Sequence, residues 1–194
     1  AAGVIDRKLI KEMGSLGLIG AELPEEFGGL GTDSVTAGVI IEKISYADLN
    51  VGYICLLSSL NGMLIASHAS RDMASEIVTK VVSGDCVVAL GLTEPRGGSD
   101  AANLALTARR DGSGFRLNGE KTSISLVTQA DQIIVFGRTG TPSDRAKGVS
   151  AFLVPMDLPG ISKSAFNDVG SAAVGRGSVF FDDVKIPESA LIGR

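Results

Sequence analysis

The hydrophobic pattern of the chain changes its period near residue 85, and this change constrains the fold more than any other feature. Before it, apolar residues recur every three or four positions, as they do on one face of a helix. After it, short β-branched runs alternate with turn residues, as they do in antiparallel sheets. The sequence therefore predicts an α+β fold: an all-α helical domain over residues 1–84, then an antiparallel β-barrel or sandwich domain over residues 85–194.

Four helices are expected in the first domain. Ser34 is placed to cap the second helix, and either Asp48 or Asn50 the third. The third helix is almost wholly apolar, but Ser58, Ser59 and Asn61 interrupt it and its apolar run falls short of the roughly 20 residues of a membrane span. It is therefore expected to be a buried helix. The four expected helices are Ile5–Leu18, Val35–Tyr46, Val51–Ser67 and a fourth that runs from Ser70 to Gly84.

Eight strands are expected in the second domain, separated by Gly, Pro and Asn turns. The clearest hairpin turn is Asp111-Gly112-Ser113-Gly114, and Asn118-Gly119 is a second turn signal. The expected strands are Cys86–Thr93, Leu104–Arg110, Phe115–Leu117, Lys121–Leu126, Gln132–Arg138, Val149–Pro155, Ile161–Phe166 and Val179–Ile186.

Composition excludes several classes of function. The net charge is -4 and no basic stripe appears, which argues against binding to nucleic acid. Cys55 and Cys86 both lie in apolar runs and are expected to be buried thiols rather than a disulfide or a metal pair. His68, the single histidine, has no ligand-type neighbours at metal spacing, so no metal site is expected.

The segment Leu92-Thr93-Glu94-Pro95-Arg96-Gly97-Gly98-Ser99-Asp100 concentrates polar groups directly after an apolar strand. Its hydroxyls can donate and accept hydrogen bonds, and its adjacent glycines permit conformations that a Cβ forbids. Such a segment can present backbone N–H groups to an anionic or heteroaromatic ligand. On composition alone, an ordinary Pro/Gly turn between two strands is the better explanation.

Four motifs, in order along the chain, resemble those of the acyl-CoA dehydrogenase family. Thr93-Glu94-Pro95 with Gly98-Ser99-Asp100 resembles its flavin-contacting signature. The other three are Leu23–Gly31, Leu117–Lys121 and Phe181–Pro187, which resemble its first inter-helix loop, the strand before its second flavin segment and its last middle-domain strand.

The resemblance implies a function as well as a fold. Family members bind FAD, remove a proton from the α carbon and a hydride from the β carbon of an acyl-CoA, and pass electrons to an electron-transfer flavoprotein. They are homo-oligomers, dimers or tetramers, of the bacterial cytoplasm or the mitochondrial matrix. A C-terminal helical bundle carries their catalytic base. We therefore expect this chain to be a piece of a longer protein and to contain no catalytic residue of its own.

The resemblance also assigns cofactor contacts. Leu92 and Thr93 would touch the isoalloxazine ring, and Gly98 and Ser99 the phosphate-ribityl side, with Ser99 also contacting the acyl-CoA substrate. The second flavin segment would be Ser123, Ile124 and Ser125. Ser125 keeps the hydroxyl expected near flavin N5, whereas Ser123 replaces the usual aromatic residue and cannot stack on the ring.

A second departure from the family lies at Val169-Gly170-Ser171-Ala172, where many members carry an arginine; Arg176 is a possible substitute. Two other functions stay open beside the dehydrogenase: a non-catalytic module that binds a ligand or partner, and a related flavin oxidase or monooxygenase. On the third helix, Leu56, Leu60 and Met63 are expected to pack in the core, with the wall of an acyl pocket as the alternative.

Overall fold

The computed structural model describes residues 4–193, so the ends of the two predicted domains, Ala1–Gly3 and Arg194, lie outside the described residues. The chain forms two compact units. A helical unit runs to Val88 and also contains Asp168–Gly175, and a sheet unit contains Ala89–Asn167 and the chain from Arg176 onward. The segment Asp168–Gly175 therefore groups with the helices, while the division at residue 85 stays a prediction about domains.

Side-chain caps set the bounds of the four helices. Asp33 rather than Ser34 caps the second helix, because its carboxylate accepts the N–H of Thr36 at 2.8 Å. Asp48 caps the third, and Ser70 caps the fourth as predicted. The first ends earlier than expected because the backbone turns left-handed at Gly17. The helices are α1 (Arg7–Ser15), α2 (Ser34–Ala47), α3 (Leu49–His68) and α4 (Arg71–Val82).

Helix α3 packs in an unexpected way, with its small and polar residues inward. Gly52, Ser59, Asn61 and Gly62 are buried, and the Asn61 amide donates to the carbonyl of Val88 at 2.7 Å. The large side chains predicted to be core residues are instead 46%, 48% and 37% exposed, at Leu56, Leu60 and Met63 respectively. The expectation of core packing is wrong for these three because glycine on the inner face lets neighbouring elements approach closely.

The length expected for α3 was also too short. The helix has 20 residues and is long and apolar enough to cross a membrane by length and composition, a test that the core helix of a soluble protein also passes. In the structure α3 packs against α2 and α4. Its polar residues Ser59 and Asn61 are buried, so they face protein rather than the exposed side of the helix.

The segment between α1 and α2, Ala21–Thr32, is folded tightly onto the helices. Leu23 is completely buried, and its carbonyl accepts the N–H of Gly31 at 3.0 Å. Phe27 ends a single helical turn and is also buried, after which Gly28 adopts a left-handed conformation with φ 88°. This segment is therefore part of the core of the helical unit rather than a loose connection.

The second unit is built on one eight-stranded sheet. Its order is β6-β7-β3-β2-β4-β5-β8, with β1 paired to β4. Along the path from β6 to β8 the neighbouring strands are antiparallel, except that β2 and β4 are parallel. The predicted class, helices followed by a mostly antiparallel β domain, is confirmed. The strands are β1 (Val88–Gly91), β2 (Thr107–Asp111), β3 (Gly114–Ile124), β4 (Gln132–Arg138), β5 (Val149–Pro155), β6 (Ile161–Ala165), β7 (Gly177–Pro187) and β8 (Leu191–Ile192).

One turn prediction in the sheet is wrong. Asn118-Gly119 does not separate two strands but lies within the 11-residue strand β3, at a register shift opposite β7. Gly119 takes φ 139°, and the Asn118 side chain accepts the N–H of Asp183 at 2.9 Å. The two residues form a β-bulge, which uses the same residue types as a turn. The predicted hairpin at residues 111–114 is present, joining β2 to β3.

Candidate functional site

The segment that follows β1 is folded back on itself. Gly97 and Glu94 exchange two backbone hydrogen bonds, of 2.9 and 3.3 Å. A Cβ on Gly98 would lie 3.3 Å from Oγ1 of Thr93, so glycine allows the Thr93 hydroxyl to lie against the backbone. The structure thus brings together Thr93 and Gly98, two of the residues predicted to contact the flavin.

A buried ion pair lies at the base of this segment. Lys121 is wholly buried and Glu94 is 5% exposed, and the Lys121 ammonium donates to Glu94 Oε1 at 2.8 Å. The same ammonium donates to the carbonyl of Leu92 at 3.1 Å. The Glu94 carboxylate also accepts the N–H of Ala105 at 2.6 Å and that of Leu106 at 2.8 Å. One pair of side chains therefore fixes the backbone on both sides of the loop that contains Gly97, Gly98 and Ser99.

The surroundings of the pair shift both pKa values. Burial alone would raise the pKa of Glu94, but hydrogen bonds from Lys121 and from two backbone N–H groups outweigh it, so this pKa lies below its ordinary value. Burial lowers the pKa of Lys121, and Glu94 offsets part of that effect. A carboxylate with both oxygens engaged and a low pKa has no capacity to act as a general base. Glu94 therefore makes a structural contact in this site.

Glu94 should contribute to acid stability. Because its pKa is lowered on folding from 4.5, its stabilising effect is complete above that value and is lost as pH falls through the folded pKa. We expect Glu94→Gln to lower the free energy of unfolding at neutral pH, and the gap to wild type to narrow between about pH 6 and about pH 3. Urea unfolding at a series of pH values measures the gap. A gap that stays constant, as expected for a neutral hydrogen bond, would contradict this assignment.

The two predicted flavin segments adjoin in the sheet unit. The N–H of Thr122 donates to the carbonyl of Thr93 at 2.9 Å, which places the end of β3 beside the first segment. The backbone then turns a corner: Ser123 takes φ 57° and Leu126 φ 63°, although Leu126 is 1% exposed. Left-handed non-glycine residues are strained, and strain of this kind concentrates at functional sites.

The other predicted site residues differ in exposure. Ser99 and Ser123 are exposed, while Leu92 and Ser125 are half-buried. Ile124 is buried, with 2% of the residue exposed. Asp100 makes no side-chain capping bond to the short helical turn that follows it. A small polar hollow opens on this side of the loop and is lined by Leu92, Glu94, Arg96, Gly97, Asp100, Ala101, Asn103 and Leu104.

Residues predicted to replace the missing family arginine are not gathered into this site. Arg176 places its guanidinium 5.3 Å from the centre of the Phe166 ring, a cation–π contact within the sheet unit. Val169 and Gly170 are exposed, in the segment that groups with the helices. The idea that Arg176 substitutes for the arginine gains no support from this geometry.

The cysteines and potential metal ligands offer no second site. Both cysteines are buried, and burial raises the pKa of the Cys55 thiol to about 11, which leaves it unreactive. Within residues 4–193, no three His, Cys, Asp or Glu side chains are grouped closely enough to hold a metal ion.

Lys121 is the residue that the sequence analysis missed. It belongs to one of the four family-like motifs, Leu117–Lys121, but full burial is rare for lysine and nothing in the motif predicts it. A lysine within a strand, three residues after a bulge signal, was the available indication. Its partner lies 27 residues earlier in the chain, so no local pattern connects the two.

Comparisons with known proteins identify the family to which both parts of the chain are similar. Residues 1–85 match the model of the acyl-CoA dehydrogenase N-terminal domain, and residues 89–184 that of the acyl-CoA dehydrogenase middle domain. The mitochondrial short-chain specific acyl-CoA dehydrogenase of Homo sapiens is 36% identical over 192 residues, which are 95% of this chain and 45% of that protein. The chain thus spans about half the length of the curated relatives that it matches.

Two solved structures extend the comparison. A chain in the structure of the electron transferring flavoprotein of Acidaminococcus fermentans has a TM-score of 0.92 and 31% identity, covering 100% of this chain and 51% of that one. A glutaryl-CoA dehydrogenase from Mycobacterium smegmatis, in complex with FADH2, has a TM-score of 0.89 and 29% identity, covering 98% of this chain and 48% of that one.

Proposed function

Because the chain belongs to the acyl-CoA dehydrogenase family, we propose that it forms part of an FAD-dependent enzyme that oxidises an acyl-CoA thioester between its α and β carbons. The observation that carries the proposal is the hydrogen bond from Thr122 N–H to the Thr93 carbonyl. It joins the two segments that hold the family's flavin motifs, although they are almost thirty residues apart in sequence.

The residues present fit a flavin. Gly98 leaves an open cradle that a Cβ would fill against Thr93, and a Cβ on Gly97 would meet nothing within 4 Å. The side chains of Thr93 and Ser125 offer hydroxyls, and the backbone of Leu92 and Ile124 offers further polar groups. In the proposal these four residues contact the ring, with Ser123 beside them, and Gly98 and Ser99 contact the phosphate-ribityl side.

Bound FAD supplies the hydride acceptor, and the protein supplies position and polarity. Hydroxyls held on a rigid sheet orient the ring and tune its electronics through hydrogen bonds. Ser123 leaves the face that family members cover with an aromatic residue open to solvent. Ser99 has the further proposed role of contacting the acyl-CoA. The proposal assigns no general base to the described residues, since the only fully buried carboxylate among the site residues, Glu94, is held by three donors.

The exposed apolar row on α3 suits an acyl chain. Leu56, Leu60 and Met63 follow each other at spacings of four and three, so they lie on one face of the helix. In the proposal this row contacts the acyl group and limits its length. A homo-oligomer, an electron-transfer flavoprotein partner, and a bacterial cytoplasmic or mitochondrial matrix location belong to the same proposal.

The decisive experiment uses the native protein, meaning the protein as its source organism makes it. It is mixed anaerobically with a panel of acyl-CoAs while flavin absorbance is followed. Bleaching by an acyl-CoA supports the proposal. Colourless protein that still binds a partner would instead identify a non-catalytic module, and rapid reoxidation by oxygen alone would identify an oxidase or monooxygenase.

Ser125→Ala tests the proposed hydroxyl contact. Loss of one hydrogen bond to the flavin should slow flavin reduction by about tenfold. Stopped-flow absorbance with the best acyl-CoA measures the rate. Ser162→Ala, which removes an exposed hydroxyl on edge strand β6, is the matched control and should react as wild type. Equal rates in the two variants would remove Ser125 from the site.

A further inference from the structure

The hydrogen bonds of Lys121 and Glu94 fix the two ends of one loop, residues 95–104. Lys121 projects from β3, yet its ammonium contacts Leu92 and Glu94, the residues on either side of Thr93. The next residue along β3, Thr122, holds the Thr93 carbonyl through its N–H. Three successive residues, 92 to 94, are therefore fixed by two successive residues of a central strand.

Glu94 extends this bracing to the far end of the loop. Its two carboxylate oxygens accept the N–H groups of Ala105 and Leu106, eleven and twelve residues further along. The loop of residues 95–104, which includes Gly98 and Ser99, therefore begins at Glu94 and ends at residues that the same Glu94 carboxylate holds. The exposed part of the loop owes its position to two buried side chains, Lys121 and Glu94.

Stability alone does not account for such a pair. Apolar residues of similar volume are often as stabilising as a buried ion pair, because desolvation cancels much of the attraction. What an apolar pair cannot do is hold the Leu92 carbonyl and two N–H groups at set positions. The geometry therefore suits a pair whose effect is to specify one backbone conformation.

We infer that Lys121 and Glu94 are positioning residues for the cofactor: they hold the Leu92–Thr93 backbone and the loop of Gly98 and Ser99 in the conformation that binds flavin. The inference rests on the proposed function. Neither residue contacts the flavin in this account. Lys121 acts through Leu92 and Thr93, and Glu94 acts through the closure of the loop.

Two variants of the native protein distinguish the effect of losing the contact to the Leu92 backbone from the effect of leaving the Glu94 charge unpaired. Lys121→Met removes the contact to Leu92 and leaves the Glu94 charge buried, whereas K121M/E94Q removes the same contact and restores neutrality. Loss of a hydrogen bond from a charged group predicts about tenfold weaker FAD binding in both variants. Only K121M should shift the flavin reduction potential to a more negative value, since an uncompensated carboxylate opposes the gain of negative charge.

The control is R110M/E188Q, which removes an exposed ion pair of 2.7 Å from the same sheet unit. It should leave FAD affinity and potential unchanged. Amide hydrogen exchange in the flavin-free protein gives a readout independent of FAD. Exchange at Thr122, Ala105 and Leu106 should accelerate at least about tenfold in K121M/E94Q, because the bonds that protect them are weakened.

The outcomes are distinct. Wild-type protein without flavin would overturn the proposed function, and this inference with it. Wild-type protein with tightly bound flavin, and K121M/E94Q of equal affinity, would overturn the inference alone. Weaker affinity in both variants, with a shifted potential only in K121M, supports it. If K121M is too unstable to purify, K121M/E94Q alone decides the question of affinity.

Discussion

Lys121→Met should lower the free energy of unfolding of the sheet unit by about 3–5 kcal/mol, the usual cost of leaving one member of a buried ion pair alone. The reason is specific to this site. Lys121 is wholly buried and Glu94 is 5% exposed, so water cannot replace the lost ammonium. The two N–H groups that remain on the Glu94 carboxylate compensate only part of its charge.

The double variant K121M/E94Q should recover most of that loss, because it removes the charge together with its partner. Urea unfolding followed by circular dichroism on wild type, both single variants and the double variant gives the coupling energy. R110M/E188Q removes an exposed pair together with the contact of the Arg110 guanidinium to the Phe115 ring, and should cost about 1–2 kcal/mol. If Lys121→Met costs no more than this control, the pair is hydrated in solution and the site is less buried than the structure indicates.

Local rules were enough to predict the order of elements but not which face of each is buried. The helices and most strands lie within a few residues of their predicted places, because periodicity and caps such as Ser70 are encoded in neighbouring residues. Helix α3 shows the limit. A helix that is apolar on every side does not indicate which side faces the core, and here Gly52 and Gly62 decide it by allowing close approach.

The candidate site shows the same division between local and distant information. Motifs were enough to select the loop at residues 92–100 and Ser125 as candidate site residues. The bond between Thr93 and Thr122, and the pair formed by Lys121 and Glu94, depend on which strands lie side by side. The bulge at Asn118-Gly119 was misread as a turn because both structures favour the same two residues. Contacts across a sheet are fixed by topology, which a single sequence encodes only indirectly.

Gly29→Ala should destabilise the helical unit by about 3 kcal/mol, the upper end of the range for overpacking. An added Cβ would lie 2.0 Å from the Leu23 carbonyl oxygen and 2.5 Å from its carbon. These are backbone atoms, so no rotamer change relieves the clash. Leu23 is itself completely buried, and its carbonyl holds Gly31. Moving it would disturb the whole segment Ala21–Thr32.

Two other glycines of the helical unit serve as comparisons that separate a steric clash from backbone strain. Gly28 has φ 88°, and an added Cβ would make only an ordinary contact, 3.9 Å from a methyl group of Val82, so Gly28→Ala should cost only the backbone strain of about 1–2 kcal/mol. Gly38 lies on the exposed side of α2 with nothing within 4 Å, so Gly38→Ala should stabilise the unit by about 0.5–1 kcal/mol. Thermal unfolding of the three variants measures the order. If Gly29→Ala costs no more than Gly28→Ala, the segment can relax away from the helices, and the packing of Leu23 does not determine its position.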